Sequence, residues 1–251
     1  MGADAARSPV TRLLVVQHQA DAALGRLHRH LAPDADIEVL RPDLGAPLPD
    51  DLEGVAGLIV LGGSPAAWED ERAPWLPQTR ALMARAVDEA VPLLGICLGA
   101  QLLALATGGR VERGAAGLEI GLSHIAPTDA AAGDALMAAL PADGYPAPQG
   151  HQDAVTELPP GAVLLGTGEL YRHQAFRVGE TAWGLQYHPE VSVDAFAAWV
   201  DEEAAAVVAA GYDPAALVLQ ARRADALLEE LAAAHATAFA GVARRAVPAA
   251  G

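Results

Sequence analysis

A chain of 251 residues, 52% of them hydrophobic and 19% charged, can bury a sizeable core, which excludes a disordered polypeptide. Its formal net charge is −16, with all sixteen positive charges on arginine and no lysine, a field that repels phosphate backbones and anionic lipid and argues against nucleic-acid or membrane binding. A single cysteine rules out an internal disulfide and a cysteine-based metal cluster, and no apolar run reaches the roughly 18 residues needed to span a bilayer. Met1–Pro9 lacks the apolar stretch of a signal peptide, and Ala6 stands where a myristoylation signal needs Ser or Thr, so a soluble cytoplasmic protein is expected.

The first element is a buried parallel strand over Arg12–Gln17, an uninterrupted apolar run after its arginine. A helix follows over Ala20–Ala32, closed by Pro33, and then a strand over Ile37–Leu40 and a Pro/Gly/Asp-rich loop over Arg41–Glu53. Gly57–Leu61 reads as a strand ending in Gly62-Gly63-Ser64-Pro65. Pro74–Ala90 reads as a helix, Val91–Ile96 as a strand, and Leu98–Thr107 as a helix capped at Gly108-Gly109. Further strands are expected at Ile120–Ala126, Ala162–Thr167, Gln174–Val178 and Thr181–Tyr187. After Pro189 the chain reads as helix nearly to its end, with a break at Gly211–Pro214. The alternation of strand and helix predicts one α/β domain, a doubly wound and mostly parallel sheet flanked by helices, with its core over residues 12–200 and a helical extension over 201–245. Leucines at 217, 219, 227, 228 and 231 make the last helix amphipathic, suited to packing on the domain or to binding a partner.

Pro92-Leu-Leu-Gly-Ile-Cys-Leu-Gly-Ala-Gln101 carries the clearest chemical signal. An apolar strand enters Gly95, Cys97 follows, and Gly99 opens a helix: a Gly-x-nucleophile-x-Gly elbow with sulfur at its tip. The turn puts Cys97 at a helix N-terminus, where free N–H groups and the helix dipole favour a thiolate, and aims the N–H of Leu98 at the site. A lone cysteine in a core is an inert small hydrophobe; two glycines at this spacing between strand and helix make the nucleophile the better reading. Trp183-Gly-Leu-Gln-Tyr-His-Pro-Glu190 is a second strand running into a polar tip, which brings His188 to the same carboxyl edge of the sheet. His188 there serves as acid and base, and Glu190, across a proline, fixes its tautomer.

Gly95-Ile-Cys-Leu-Gly-Ala-Gln101 and Gly184-Leu-Gln-Tyr-His-Pro-Glu190 resemble the two signatures of the class I, or triad, glutamine amidotransferases. Gly62-Gly63-Ser64-Pro65 is similar to that family's oxyanion-strand loop. His151-Gln-Asp153, followed by Leu-Pro-Pro at 158–160, resembles a segment of the amidotransferase domain of GMP synthetase. The resemblance runs from about Leu13 to Val200 and implies a flavodoxin-like fold. It further implies that Cys97 attacks a γ-carboxamide and forms a γ-glutamyl thioester, that Gly63 and Leu98 supply oxyanion N–H groups, and that Gln101 helps hold the glutamyl substrate. His151 and Asp153 either line the substrate pocket or form a structural turn. Ser64-Pro65 departs from relatives that place proline directly after the glycines.

Three readings stay open. One is a glutaminase subunit that passes ammonia to a separately encoded synthase. Another is a free-standing hydrolase of γ-glutamyl peptides or small molecules. The expectation that no synthase domain follows leans toward this second reading, while the GMP-synthetase-like elbow and His151-Gln-Asp153 lean toward the first and put it slightly ahead. The last is a non-catalytic binding protein on the same scaffold, against which the three site residues argue. Glutamine or a γ-glutamyl small molecule is the expected ligand, with no cofactor and no metal. His28 and His30 lie on different faces of a helix end and suggest no metal site. Trp68 and Trp75 flank an acidic loop, either packed by its own tryptophans or lying over the pocket.

Overall fold

The computed structural model describes residues 11–33 and 35–246; Met1–Pro9, on which the targeting-signal readings fall, lies outside the described residues. In chain order the elements are β1 (Thr11–Val16), α1 (Gly25–Leu31), β2 (Ala35–Leu40), β3 (Gly57–Val60), α2 (Leu76–Asp88), β4 (Leu93–Ile96) and α3 (Leu98–Ala106). There follow β5 (Arg110–Arg113), β6 (Glu119–Pro127), β7 (Tyr145–His151), β8 (Asp153–Glu157), β9 (Val163–Thr167), β10 (Ala175–Val178) and β11 (Ala182–Leu185). The chain ends in α4 (Val193–Glu202), α5 (Ala204–Ala209) and α6 (Pro214–Ala246).

Nine strands form one sheet in the order β2-β1-β3-β4-β11-β10-β9-β6-β7, and β5 pairs with β8 in a small separate ribbon. From β2 to β11 every pairing is parallel; beyond β11 every pairing is antiparallel. The parallel half carries the helices on both faces. Leu13 and Val15 of β1 point to the side where α1 and α6 pack with Leu27, Leu31 and Phe239. Leu14 and Val16 point to the side of α2 and α3 with Leu82, Met83, Leu102 and Leu103. Strands buried on both faces carry no polar alternation, which is why β3, β4 and β11 read as short apolar runs. Each fully buried Leu, Ile or Val side chain here contributes about 1.5–3 kcal/mol of transfer free energy.

Three strands were not legible as strands. β7 contains Pro146 and Pro148 within seven residues, a composition expected of a loop. It is tolerated because β7 is the sheet's edge, where a missing N–H leaves no neighbouring strand unpaired. β5 and β8 pair only with each other, so neither carries a continuous apolar run. The first helix begins at Gly25 rather than Ala20, and the break before α6 falls where the sequence placed it. α6 packs on the domain rather than standing free: Leu228, Leu231, Ala232, Ala236, Phe239 and Ala243 are buried. Although α6 has 33 residues, among the described residues no helix is long and apolar enough to cross a membrane.

The candidate active site

The parallel register builds the site. Val16, Val60 and Gly95 lie side by side across β1, β3 and β4, and Ile96 pairs with Leu185 of β11, so the residues just beyond each strand meet at one carboxyl edge. Those residues are Gln17–Gln19 after β1, Leu61–Gly63 after β3, Cys97 after β4 and Gln186–His188 after β11. An open α/β sheet gathers its chemistry at this edge.

Cys97 occupies the turn between β4 and α3 with φ 51° and ψ −107°, a conformation side-chain-bearing residues rarely adopt. The expected elbow is therefore present, and close approach explains its glycines. A β-carbon on Gly99 would stand 2.0 Å from the Val60 carbonyl oxygen, and one on Gly95 would stand 2.5 Å from that of Gly99. The Cys97 N–H donates to the Leu185 carbonyl at 2.7 Å, extending the ladder between β4 and β11 by one rung.

His188 is buried and holds one partner: its Nδ1 lies 2.7 Å from Glu190 Oε1, as expected. A carboxylate on Nδ1 fixes the proton there. Nε2 is buried and without a hydrogen-bond partner, as is Glu190 Oε2. His188 and Cys97 face each other across Gly62, where a β-carbon would touch both, at 3.2 Å from His188 Cε1 and 3.6 Å from Cys97 Cβ. Burial alone would lower the His188 pKa; the charges of Glu190 and then Cys97 outweigh it and raise the value to about 10. The ring is fixed from three directions. The His188 backbone N–H donates to the Pro148 carbonyl at 2.9 Å, the Trp199 ring of α4 lies edge-on to the imidazole with centroids 4.9 Å apart, and the loop beyond is tied to α1. That tie is Arg26, whose backbone N–H donates to the Glu190 carbonyl at 2.8 Å. Its guanidinium donates to the Val191 carbonyl at 2.8 Å and pairs with Asp225 and Glu229 of α6.

A cleft of about 350 Å³ opens at this edge, lined among others by Gly62, Gly63, Cys97, Gln101, His151, Asp153, His188 and Trp199. The Gly63 and Leu98 N–H groups donate to no other group among the described residues. Gln101 is 3% exposed and its amide is engaged: Nε2 donates to the Asp153 carbonyl at 2.9 Å and to Gln186 Oε1 at 3.3 Å. His151 and Asp153 reach the cleft from the end of β7 and the start of β8, and both are held by protein groups. His151 Nδ1 lies 2.9 Å from the Asp153 carbonyl, and Nε2 lies 2.9 Å from Glu119 Oε2. Burial would raise the Glu119 carboxyl, but hydrogen bonds from His151, Ser123 and Gln174 hold it below the usual carboxylate range. The Asp153 carboxylate pairs with Arg113.

Three contributors were missed in the sequence. Gln186 donates from Nε2 to the Cys97 sulfur at 3.7 Å and links it through Gln101 to Asp153. Trp199 and Gln19 line the same cleft. The available signal was position, since Gln17-His-Gln19 and Gln186 are polar residues directly beyond buried parallel strands. Of the tempting residues set aside, His30 pairs with Glu229 at 2.8 Å, Trp75 donates to His18 Nδ1 at 3.1 Å, and Trp68 is half-exposed.

The sequence matches the family model for class-I glutamine amidotransferases over residues 23–203. This chain belongs to that family. The match covers the elbow and the His188–Glu190 loop together. Among its relatives, GMP synthase [glutamine-hydrolyzing] of Porphyromonas gingivalis is 39% identical over 145 residues, and gamma-glutamyl peptidase 5 of Arabidopsis thaliana is 32% identical over 141. Those alignments take in 57% and 56% of this chain but 26% and 55% of the relatives; the chain spans a quarter of the one and about half of the other. A glutamine amidotransferase from Thermotoga maritima superposes with a TM-score of 0.81 at 28% identity, covering 92% of this chain and 98% of its own. One from Methylobacillus flagellatus gives 0.80 at 28%, covering 93% and 95%.

Proposed function

We propose that this amidotransferase-family protein hydrolyses the γ-carboxamide of glutamine or of a γ-glutamyl conjugate through a thioester on Cys97. The observation that carries the reading is His188, oriented by Glu190 on one nitrogen, with its other nitrogen unpartnered in the cleft that Cys97 shares. The Cys97 sulfur attacks the amide carbon while its proton passes to His188 Nε2. The oxyanion that forms accepts from the Gly63 and Leu98 N–H groups. Collapse expels ammonia or an amine that takes the proton from His188, and water then attacks the thioester with His188 as base, releasing glutamate. The raised pKa of His188, near 10, favours transfer of the Cys97 proton to the ring at neutral pH, and the leaving amine then takes it.

Both relatives bear on the acceptor. The resemblance to the γ-glutamyl peptidase supports water as acceptor and a γ-glutamyl peptide or small molecule as substrate. The resemblance to GMP synthase supports a second reading, in which ammonia passes to a synthase partner. The test is product analysis of the purified protein with glutamine and a panel of γ-glutamyl amides, with Cys97→Ala as blank. Release of glutamate and free amine by the native protein alone is expected. Turnover that survives in Cys97→Ala would refute the mechanism.

A further inference from the structure

We propose that Gln19 is a positioning residue that holds the Gly62–Ser64 loop in its working shape, so that this chain completes its oxyanion hole without a partner protein. The inference rests on the γ-glutamyl hydrolase reading above. The Gln19 side chain crosses from the end of β1 to the loop after β3. Its Oε1 accepts from the Ser64 N–H at 2.6 Å and from the Ser64 hydroxyl at 2.8 Å. Its Nε2 donates to Asp21 Oδ1 at 2.9 Å, which fixes the amide with its acceptor toward Ser64. The turn that carries Gln19 is itself tied, because Gln17 Nε2 donates to the Gln19 carbonyl at 2.7 Å and to that of Ala20 at 3.2 Å.

The loop is also gripped from the sides. A β-carbon at Gly63 would stand 3.0 Å from His18 Cβ and 3.1 Å from Leu98 Cδ2, so Gly63 sits between these two side chains. His18 is buried, and its Nδ1 accepts from the Trp75 indole N–H at 3.1 Å. Glycine permits a peptide flip that other residues resist, and rotation of the Gly62–Gly63 peptide would redirect the Gly63 N–H. Gln19 holds the next peptide through the Ser64 N–H, and Ser64 itself through its hydroxyl, so the chain beyond Gly63 cannot shift to absorb such a flip without losing these bonds, each of which weights the held form by roughly fivefold. The contacts that hold the loop on either side of the Gly63 α-carbon therefore come from inside the chain.

The experiment compares the native protein with Gln19→Ala in steady-state hydrolysis of a γ-glutamyl amide and in alkylation of Cys97 by iodoacetamide. Alkylation passes through no oxyanion, so it reports the nucleophile without the hole. The native protein alone is expected to turn over. Gln19→Ala should lose roughly ten- to a hundredfold in kcat, with KM changed less than about threefold and the alkylation rate less than about twofold. Gln19→Glu combined with Asp21→Asn, which restores an acceptor for Ser64 and a donor to hold it, should regain most of the kcat of Asp21→Asn alone. Native-like turnover by Gln19→Ala, or an equal loss of turnover and alkylation, would overturn the positioning role. Native protein whose Cys97 is labelled by a glutamine-shaped chloroketone, yet inert until a synthase is added, would overturn the inference and leave the hydrolase reading standing. Native protein neither labelled nor active would overturn the reading itself.

Discussion

At Cys97 a positive φ on a residue with a side chain stores strain, of the order of 1–3 kcal/mol, that surrounding contacts must hold. The grip comes from Gly95 and Gly99, whose missing β-carbons let β3 and α3 close on the turn. Gly99→Ala drives a methyl group into the Val60 carbonyl, where neither backbone can give way. It is expected to destabilise by at least about 3 kcal/mol, read as a fall in denaturant midpoint. Glu190→Gln tests the opposite kind of effect. The amide can still accept from His188 Nδ1, but it removes the charge that most strongly raises the ring's pKa. The expected result is a loss on the order of 10²-fold or more in kcat, with the alkaline limb of the pH–rate profile moved to lower pH. A profile left in place would show that Glu190 does not set the protonation of His188.

The His188–Glu190 loop has no regular structure of its own and takes its position from the helices around it. Arg26 of α1 is 5% exposed and reaches the loop carbonyl of Val191, Asp225 and Glu229 at once. Packing of α6 is in this way linked to the geometry of the site, which a purely amphipathic reading of that helix does not convey. Arg26→Ala removes three charge-assisted contacts. The acids it leaves are partly exposed and regain water, so the expected loss is about 1.5–3 kcal/mol, measured by thermal melting. Turnover should fall further than in a variant of equal stability loss made in α2, because the loop that carries His188 loosens.

Across the whole molecule, two buried histidines set the acid limit of stability. Burial holds the pKa of His18 at about 4, partly offset by Asp43, and that of His235 at about 4 as well, partly offset by the Leu231 carbonyl. The His235 ring is neutral in a defined chain: its Nδ1–H donates to the Leu231 carbonyl at 2.7 Å, and its Nε2 accepts from the Tyr187 hydroxyl at 3.0 Å. Both folded values lie below the ordinary 6.5, so between pH 6.5 and 4 the unfolded chain binds more protons. Stability is then lost as pH falls through that window, by up to about 3 kcal/mol for each histidine. His188 has the opposite sign. Its raised pKa contributes stability that is complete below pH 6.5 and lost as pH rises through about 10. Melting temperature against pH should peak between these limits. His235→Leu should lower the melting temperature at pH 7 and flatten the acid limb; an unchanged acid limb would remove His235 from this account.

The elbow, the paired strand tip at His188 and the doubly wound half of the fold were legible because each depends on local pattern. Apolar runs buried on both faces, glycines at fixed offsets from a nucleophile and a helix start directly after it are all written within a few residues of one another. The roles of His151 and Asp153 were left open by the sequence because they depend on Glu119 and Arg113, residues 32 and 40 positions away that only the pairing of β6 with β7 and of β5 with β8 brings near. The two prolines of β7 concealed that strand, since whether a missing N–H is harmful depends on having a neighbour, and that is decided by strand order. Gln19 and Gln186 were hidden for the same reason. A glutamine beyond a strand is an ordinary polar residue until parallel register sets it beside Ser64 or the Cys97 sulfur. Local pattern marked Cys97 and His188, and tertiary register decided what holds them, because hydrogen bonds between distant segments leave no periodicity in the chain.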